Sequence, residues 1–142
     1  MYRGFISLKE KKKMTRTDAR ELLMQMLYSM KIQNDYSKER RDDFLKEKKL
    51  GNQKEYIDKM HGLITEHMTE IDEKYEALET GWKLNRLSAV DLSIIRVAMA
   101  EILYTDEIAK GVAINEAVEL AKKFSSDKSA SFINAVLAKV DR

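Results

Sequence analysis

The chain has 142 residues with 26 basic and 24 acidic side chains, five glycines, and neither cysteine nor proline, a composition typical of a single all-α domain. The lack of cysteine excludes disulfides, thiolate metal sites and cysteine nucleophiles, and fits the reducing cytoplasm in which we expect the protein. No apolar stretch approaches the roughly 20 residues of a membrane span, and the apolar piece at 5–8 is too short for a signal peptide.

The positive charge is concentrated at the N-terminus. Residues 1–20 hold seven basic and two acidic side chains, whereas the remainder holds 19 basic and 22 acidic ones. We therefore predict a basic N-terminal extension over 1–14, which binds nucleic acid or another polyanion or is a solvated tail. If the native start is Met14, only Arg16 and Arg20 remain of this basic end.

The first helix is predicted over 17–32, where apolar residues recur at i, i+3 and i+4. Either Thr15 or Thr17 can accept the hydrogen bonds of its N-cap. A second, weakly amphipathic helix over 37–48 carries many charges and few apolar residues, so it should be peripheral.

A third helix is predicted to begin near Gln53. The sequence Thr69-x-x-Asp72 has the form of a capping box, so a fourth, short helix should begin there. Gly81 ends it. Ser88-x-x-Asp91 is a further cap pattern and opens the fifth helix. This helix is apolar on nearly all sides, and should therefore be the most buried element.

Two amphipathic helices follow the loop at 106–111 and are joined by 125–127, whose polar residues can cap the seventh helix. Asn115 and Glu116 are predicted to open the sixth helix, where the carboxylate of Glu116 would suit the helix dipole. Asn134 sits amid apolar residues of the seventh helix and needs a hydrogen-bond partner if it is buried.

The sequence contains no pattern of catalytic residues. His61 and His67 are six apart and point to different sides of one helix, so a surface or packing role is favoured over metal binding. Glu101, Glu116 and Glu119 lack the Glu-x-x-His partners that a di-metal bundle uses. We therefore expect no enzymatic activity, no metal and no cofactor.

Binding chemistry is better supported. Arg16 and Arg20 are four apart and share one side of the first helical turn, where guanidinium groups can grip phosphates. Lys12 and Lys13 lie just upstream. Tyr28 is two turns further along the same side of the helix, where its ring can stack on an unpaired base. The alternative is a residue at the edge of the core with its hydroxyl in water.

Four sequence motifs resemble the NusB family of bacterial transcription antitermination factors. The likeness runs from residue 15 to about residue 140, and the motifs stand in the family's order. They are ARELLMQMLY (19–28), WKLNRLSAVDLSIIRVAMAEIL (82–103), VAINEAVELAKKF (112–124) and SASFIN (129–134).

The resemblance implies an all-α fold of about seven helices in two packed three-helix subdomains, over 15–80 and 81–142 within one domain of 15–142. It also implies an RNA-binding antitermination factor. Such a factor binds boxA-like single-stranded RNA together with a NusE-type small-subunit ribosomal protein. The pair joins the RNA polymerase antitermination complex. The free protein would be a monomer or a homodimer, with no membrane partner.

The resemblance also assigns residues to the RNA side. The family grips RNA at the start of its first helix, which transfers to Arg16 and Arg20. Thr17 and Asp18 stand where further arginines are common, and Asp18 would repel phosphate. The remaining RNA-binding candidates lie at the start of the seventh helix and are Lys128, Phe132 and Asn134. The charge of Lys128 favours phosphate. The alternative for Phe132 is a place in the core.

The surface that pairs with the ribosomal protein in the family includes helices four and five. In this chain that implies Asn85 and Asp91, together with Tyr28 and Trp82. Asp91 can accept a hydrogen bond from an arginine of a basic partner, or it is only the capping residue of the fifth helix; the two roles are compatible.

Two other functions stay open. The second hypothesis is a protein-interaction module with little RNA affinity of its own. The small net charge of the chain and the acidic Asp18 support it. A third hypothesis is the helical RNA-binding appendage of an RNA methyltransferase, a role in which some NusB-like domains occur.

Overall fold

The computed structural model describes residues 13–142, and the prediction for Lys12 therefore lies outside the described residues. Over this range the chain forms helices and no strand, which confirms the all-α prediction with its seven helices. The helices are α1 (Arg16–Gln33), α2 (Lys38–Leu45), α3 (Lys54–Glu66), α4 (Met68–Ala77), α5 (Ala89–Tyr104), α6 (Lys110–Phe124) and α7 (Asp127–Ala138), with short 3-10 turns at Gly51–Gln53 and Leu84–Arg86.

The fifth helix is the centre of the fold, as its apolar sequence predicts. Every residue from 91 to 102 is buried, and α5 packs against α1, α3, α4, α6 and α7. A helix that is apolar all round is stable in water only when neighbours cover every side. α5 thereby joins the parts before and after residue 80, although the predicted division into two subdomains stays a prediction.

Three predicted caps form. Thr15, rather than Thr17, caps α1, because Asp18 three residues on completes a capping box: Asp18 N donates to Thr15 Oγ1 (3.0 Å) and Thr15 N donates to Asp18 Oδ2 (3.1 Å). Ser88 and Ser126 accept from the backbone N–H three residues on and cap α5 and α7.

The predicted capping box at Thr69 is wrong. α4 begins at Met68, directly after α3, and its N-cap His67 makes no side-chain cap bond. Asp72 instead accepts two hydrogen bonds from Arg96 of α5, at 3.1 and 2.7 Å. This planar, two-bond ion pair binds α4 to the central helix.

The predicted place of Glu116 is also wrong. α6 begins at Lys110, so Glu116 lies in its second turn, beyond the reach of the N-terminal dipole. The N-cap of α6 is Ala109, which makes no side-chain cap bond. Glu116 has a different partner, described below.

His61 ties α3 to the segment between α1 and α2. Its ring is buried, and Nε2 lies 2.9 Å from the carbonyl oxygen of Tyr36. The other ring nitrogen, Nδ1, is buried with no hydrogen-bond partner among residues 13–142. Burial lowers the pKa of His61 below its ordinary value, and the positive charge of Arg41 lowers it further. The hydrogen bond to Tyr36 and the negative charges of Asp58 and Asp42 raise the pKa, but by less than the lowering.

Because the folded protein holds His61 neutral, acidification should destabilise the fold. An unfolded histidine gains its proton near pH 6.5, and the folded one only at lower pH, so stability falls as pH drops below about 6.5. We expect a lower free energy of unfolding at pH 5.5 than at pH 7.5 in urea titrations. His61→Gln, which keeps an N–H donor, should reduce this difference, and an unchanged difference would contradict the assignment.

Candidate nucleic-acid and protein interface

Arg20 lies inside a buried ionic cluster and not on the surface. Its Nε is 2.8 Å from Glu101 Oε2, and its Nη1 is 3.3 Å from Glu116 Oε1. The side chains of Arg20 and Glu101 are 6% and 1% exposed. The hydroxyl of Tyr56 donates to the same Glu101 carboxylate. One cluster therefore joins α1, α3, α5 and α6.

The electrostatics of this cluster keep Arg20 charged and Tyr56 protonated. Burial lowers the pKa of Arg20, but Glu101, Tyr56 and Glu116 together raise it by more, so the net shift is upward. Burial and the Glu101 charge raise the pKa of Tyr56, whose hydroxyl therefore stays a donor. The prediction that Arg20 offers its guanidinium to phosphate does not fit this arrangement, because neighbouring carboxylates already occupy it.

Arg16, one turn earlier, is exposed. Its Nε donates to Gln53 Oε1 at 2.7 Å, and its guanidinium carbon lies 4.2 Å from the ring centroid of Tyr56. Lys13 is also exposed. Arg16 borders a cleft of about 340 Å³ that Lys59 and Glu55 also line. Of the two predicted arginines, Arg16 alone presents its charge to solvent.

A second cleft unites residues that were predicted for two different partners. It has a volume of about 270 Å³ and lies where the loop before α5 meets the start of α7. The residues that line it are Trp82, Arg86, Leu87, Ser88, Asp91, Lys128, Ser129 and Phe132. From Asp91 to Glu101 is ten residues of helix, so this cleft is about 15 Å along α5 from the Arg20 cluster.

Asp91 carries an acceptor that is not used within the described chain. Its Oδ2 accepts from Ser129 Oγ at 2.9 Å, a bond between α5 and α7. Its Oδ1 is buried and has no partner among residues 13–142. The backbone N–H of Asp91 binds the cap residue Ser88 at 3.1 Å. The backbone of Asp91 thus takes part in the cap of α5, its carboxylate bonds Ser129 instead, and the residue lines the cleft.

Trp82 is 54% exposed, although its backbone is firmly held. The carbonyl of Trp82 accepts hydrogen bonds from the Tyr75 hydroxyl (2.7 Å) and from Thr80 Oγ1 (3.1 Å). The preceding Gly81 has φ +88°, a conformation that favours glycine. The loop therefore presents a large aromatic ring from a fixed backbone.

The other predicted residues do not line this cleft. Asn85 is exposed on the 3-10 turn at Leu84–Arg86. Asn134 is exposed and lines a different groove between α6 and α7, so it needs no buried partner. Tyr28 is 40% exposed on α1.

Sequence reasoning did not find Gln53 and Tyr56, because they become neighbours of Arg16 only through the packing of α3 against α1.

The fold and these surfaces define a helical binding domain, with aromatic and cationic side chains presented at two clefts. Within residues 13–142 there is no cluster of histidine, aspartate or glutamate that could hold a metal ion. No helix in this part of the chain is long and apolar enough to cross a membrane.

The chain belongs to the NusB family, whose model matches residues 17–142. It is 41% identical over 129 residues to the transcription antitermination protein NusB of Agathobacter rectalis, covering 89% of this chain and 98% of that protein. It is 43% identical over 128 residues to the protein of the same name from Acetivibrio thermocellus, covering 89% and 88%.

Solved structures agree with this assignment. NusB of T. maritima superposes with a TM-score of 0.81 at 29% identity, over 89% of this chain and 90% of that one. NusB in a crystal structure of the antitermination factors NusB and NusE in complex with dsRNA gives a TM-score of 0.78 at 26% identity, over 87% and 92%.

Proposed function

We propose that the chain is a transcription antitermination factor of ribosomal RNA operons. In this function it binds boxA-type single-stranded RNA together with a NusE-type ribosomal protein. The family membership and the names of the relatives support the proposal, as does the relative solved with NusE and RNA. The convergence of Trp82, Asp91, Lys128 and Phe132 on one cleft carries it for this chain.

The cleft has the chemistry that such a pair of ligands needs. Lys128 and Arg86 are cations beside the aromatic ring of Phe132, a combination that suits a phosphate and an adjoining base. The acidic side chain of Asp91, which lines the cleft, and the exposed ring of Trp82 suit an arginine or a lysine of a basic protein. RNA and protein would therefore meet at neighbouring parts of this cleft, with Arg16 and Lys13 as a second RNA contact.

The alternative is a protein-interaction module with little RNA affinity. One observation favours it: the internal pairing of Arg20 removes one of the two helical arginines from the basic end. Close to that end, one groove is lined by four acidic residues, Asp18, Glu21, Glu116 and Glu119, and by only two basic ones, Lys122 and Lys123. Salt dependence separates the two functions, because phosphate contacts are weakened steeply by salt.

A labelled boxA-like RNA 12-mer tests the proposal. We expect binding that weakens with salt, with a log–log slope that grows by about 0.7 for each phosphate contact on a single strand. The NusE-type protein should increase the affinity. Lys128→Ala should lower the affinity and the slope, whereas Lys46→Ala, at the exposed lysine that directly follows α2, should change neither. A chain that captures the ribosomal protein but no RNA at any salt would establish the alternative.

The same titration with a chain that starts at Met14 tests the basic extension. If residues 1–13 contact RNA, the shortened chain should bind more weakly and with a smaller salt slope, because it lacks the phosphate contacts of the basic residues in this segment. Equal affinities and slopes would assign the RNA contacts to residues 14–142.

A further inference from the structure

The guanidinium of Arg16 is held in one orientation by two residues of the neighbouring segment. Gln53 accepts from Nε at 2.7 Å, and the ring of Tyr56 lies under the guanidinium at 4.2 Å from centroid to carbon. Both supporting side chains are buried. Tyr56 is itself fixed by its hydrogen bond to Glu101. An exposed arginine usually samples many rotamers, whereas this one is restrained along its length.

A guanidinium held in this way can do more than neutralise phosphate. It is planar and stacks on aromatic rings. With one side over Tyr56, its other side is left to solvent, since Arg16 is exposed. Unpaired RNA bases stack on arginine planes as they do on aromatic rings. The adjoining cleft offers polar side chains for a base edge, among them Asn52, Glu55 and Thr105.

We propose that Gln53 and Tyr56 are positioning residues that make Arg16 a stacking platform for one unpaired RNA base. This inference rests on the proposed RNA-binding function and deepens it. It distinguishes Arg16 from the lysines of the same end, which are point charges without a plane. The ring of Tyr56 matters for the platform, and its hydroxyl matters for the buried cluster.

Arg16→Lys is the decisive variant, because it keeps the charge and removes the plane. We expect the affinity for the boxA-like 12-mer to fall between about 5-fold and about 150-fold, the range for losing one stacked base. The salt slope should stay that of the natural chain. Arg40→Lys, at a half-buried arginine of α2, is the matched control and should leave the affinity unchanged.

RNA with a single abasic position identifies the stacked base. Removing the base at one position should lower the affinity of the natural chain by the same factor as Arg16→Lys does. The same abasic RNA should bind the Arg16→Lys variant as well as the intact RNA does. Gln53→Met, which keeps the volume and removes the acceptor, should also weaken binding. Circular dichroism checks that each variant is folded.

The possible results distinguish a failure of the stacking platform from a failure of the proposed function. If the natural chain binds RNA and Arg16→Lys binds equally well, Arg16 is only a phosphate contact and the platform is overturned. If Arg16→Lys weakens binding, but the natural chain and the variant still differ in affinity for every abasic RNA, the platform is likewise overturned. If the natural chain binds no RNA at any salt, the proposed function itself fails.

Discussion

Replacing Arg20 by alanine is expected to lower the free energy of unfolding by about 3–5 kcal/mol, the cost of removing one partner of a buried ion pair. The variant leaves the Glu101 carboxylate, whose side chain is 1% exposed, without its countercharge. Glu116 also loses its contact with Nη1. The cluster joins four helices, so the loss should appear in global unfolding by urea, followed by circular dichroism.

Arg16→Ala is the matched control, one helical turn earlier on the same side of α1. Because Arg16 is exposed, its polar contact with Gln53 should be worth no more than about 1 kcal/mol. Arg20→Met combined with Glu101→Gln should recover much of the stability lost in Arg20→Ala, because the fully buried position 101 no longer carries an unpaired charge and Glu116 is 24% exposed. A loss below 1 kcal/mol in Arg20→Ala would show that the cluster does not hold the fold together.

This expectation changes how RNA binding should be tested. A double replacement of Arg16 and Arg20 would combine the loss of an exposed cation with the loss of a buried one. A weaker affinity could then reflect a partly unfolded chain. Single replacements at Arg16 and Lys128 keep the cluster intact and report on RNA contacts alone.

The helices were predictable because their determinants are local. The apolar stripe of the first helix and the all-apolar fifth helix predicted burial correctly, and α5 is buried from 91 to 102. The caps at Thr15, Ser88 and Ser126 also formed, since a cap depends on residues three apart in sequence. The family resemblance added the expected fold, which the solved relatives share.

The partners of the charged side chains were not predictable, because they are distant in sequence. The spacing of Arg16 and Arg20 placed both on one side of α1, and both do approach Tyr56. It could not reveal that Glu101 and Glu116, 81 and 96 residues away, neutralise only Arg20. Asp72 likewise matched a local cap pattern but pairs with Arg96, 24 residues on.

Replacing Trp82 by alanine is expected to weaken binding of a NusE-type ribosomal protein by about 30-fold or more, the effect of losing an interface hot spot. The exposed indole and Asp91 line the same cleft, where an arginine can meet both an acidic side chain and an aromatic ring. Isothermal titration of the ribosomal protein into both chains measures the change.

Stability should change little in Trp82→Ala, because Tyr75 and Thr80 hold the backbone carbonyl of residue 82 and not its ring. Val112→Ala is the matched control, at an apolar side chain of α6 that is 47% exposed and does not line the cleft. If both variants bind the ribosomal protein as the natural chain does, the partner lies elsewhere. A loss confined to Trp82→Ala would assign the protein contact to this cleft, since the fixed loop leaves the missing ring as the only change.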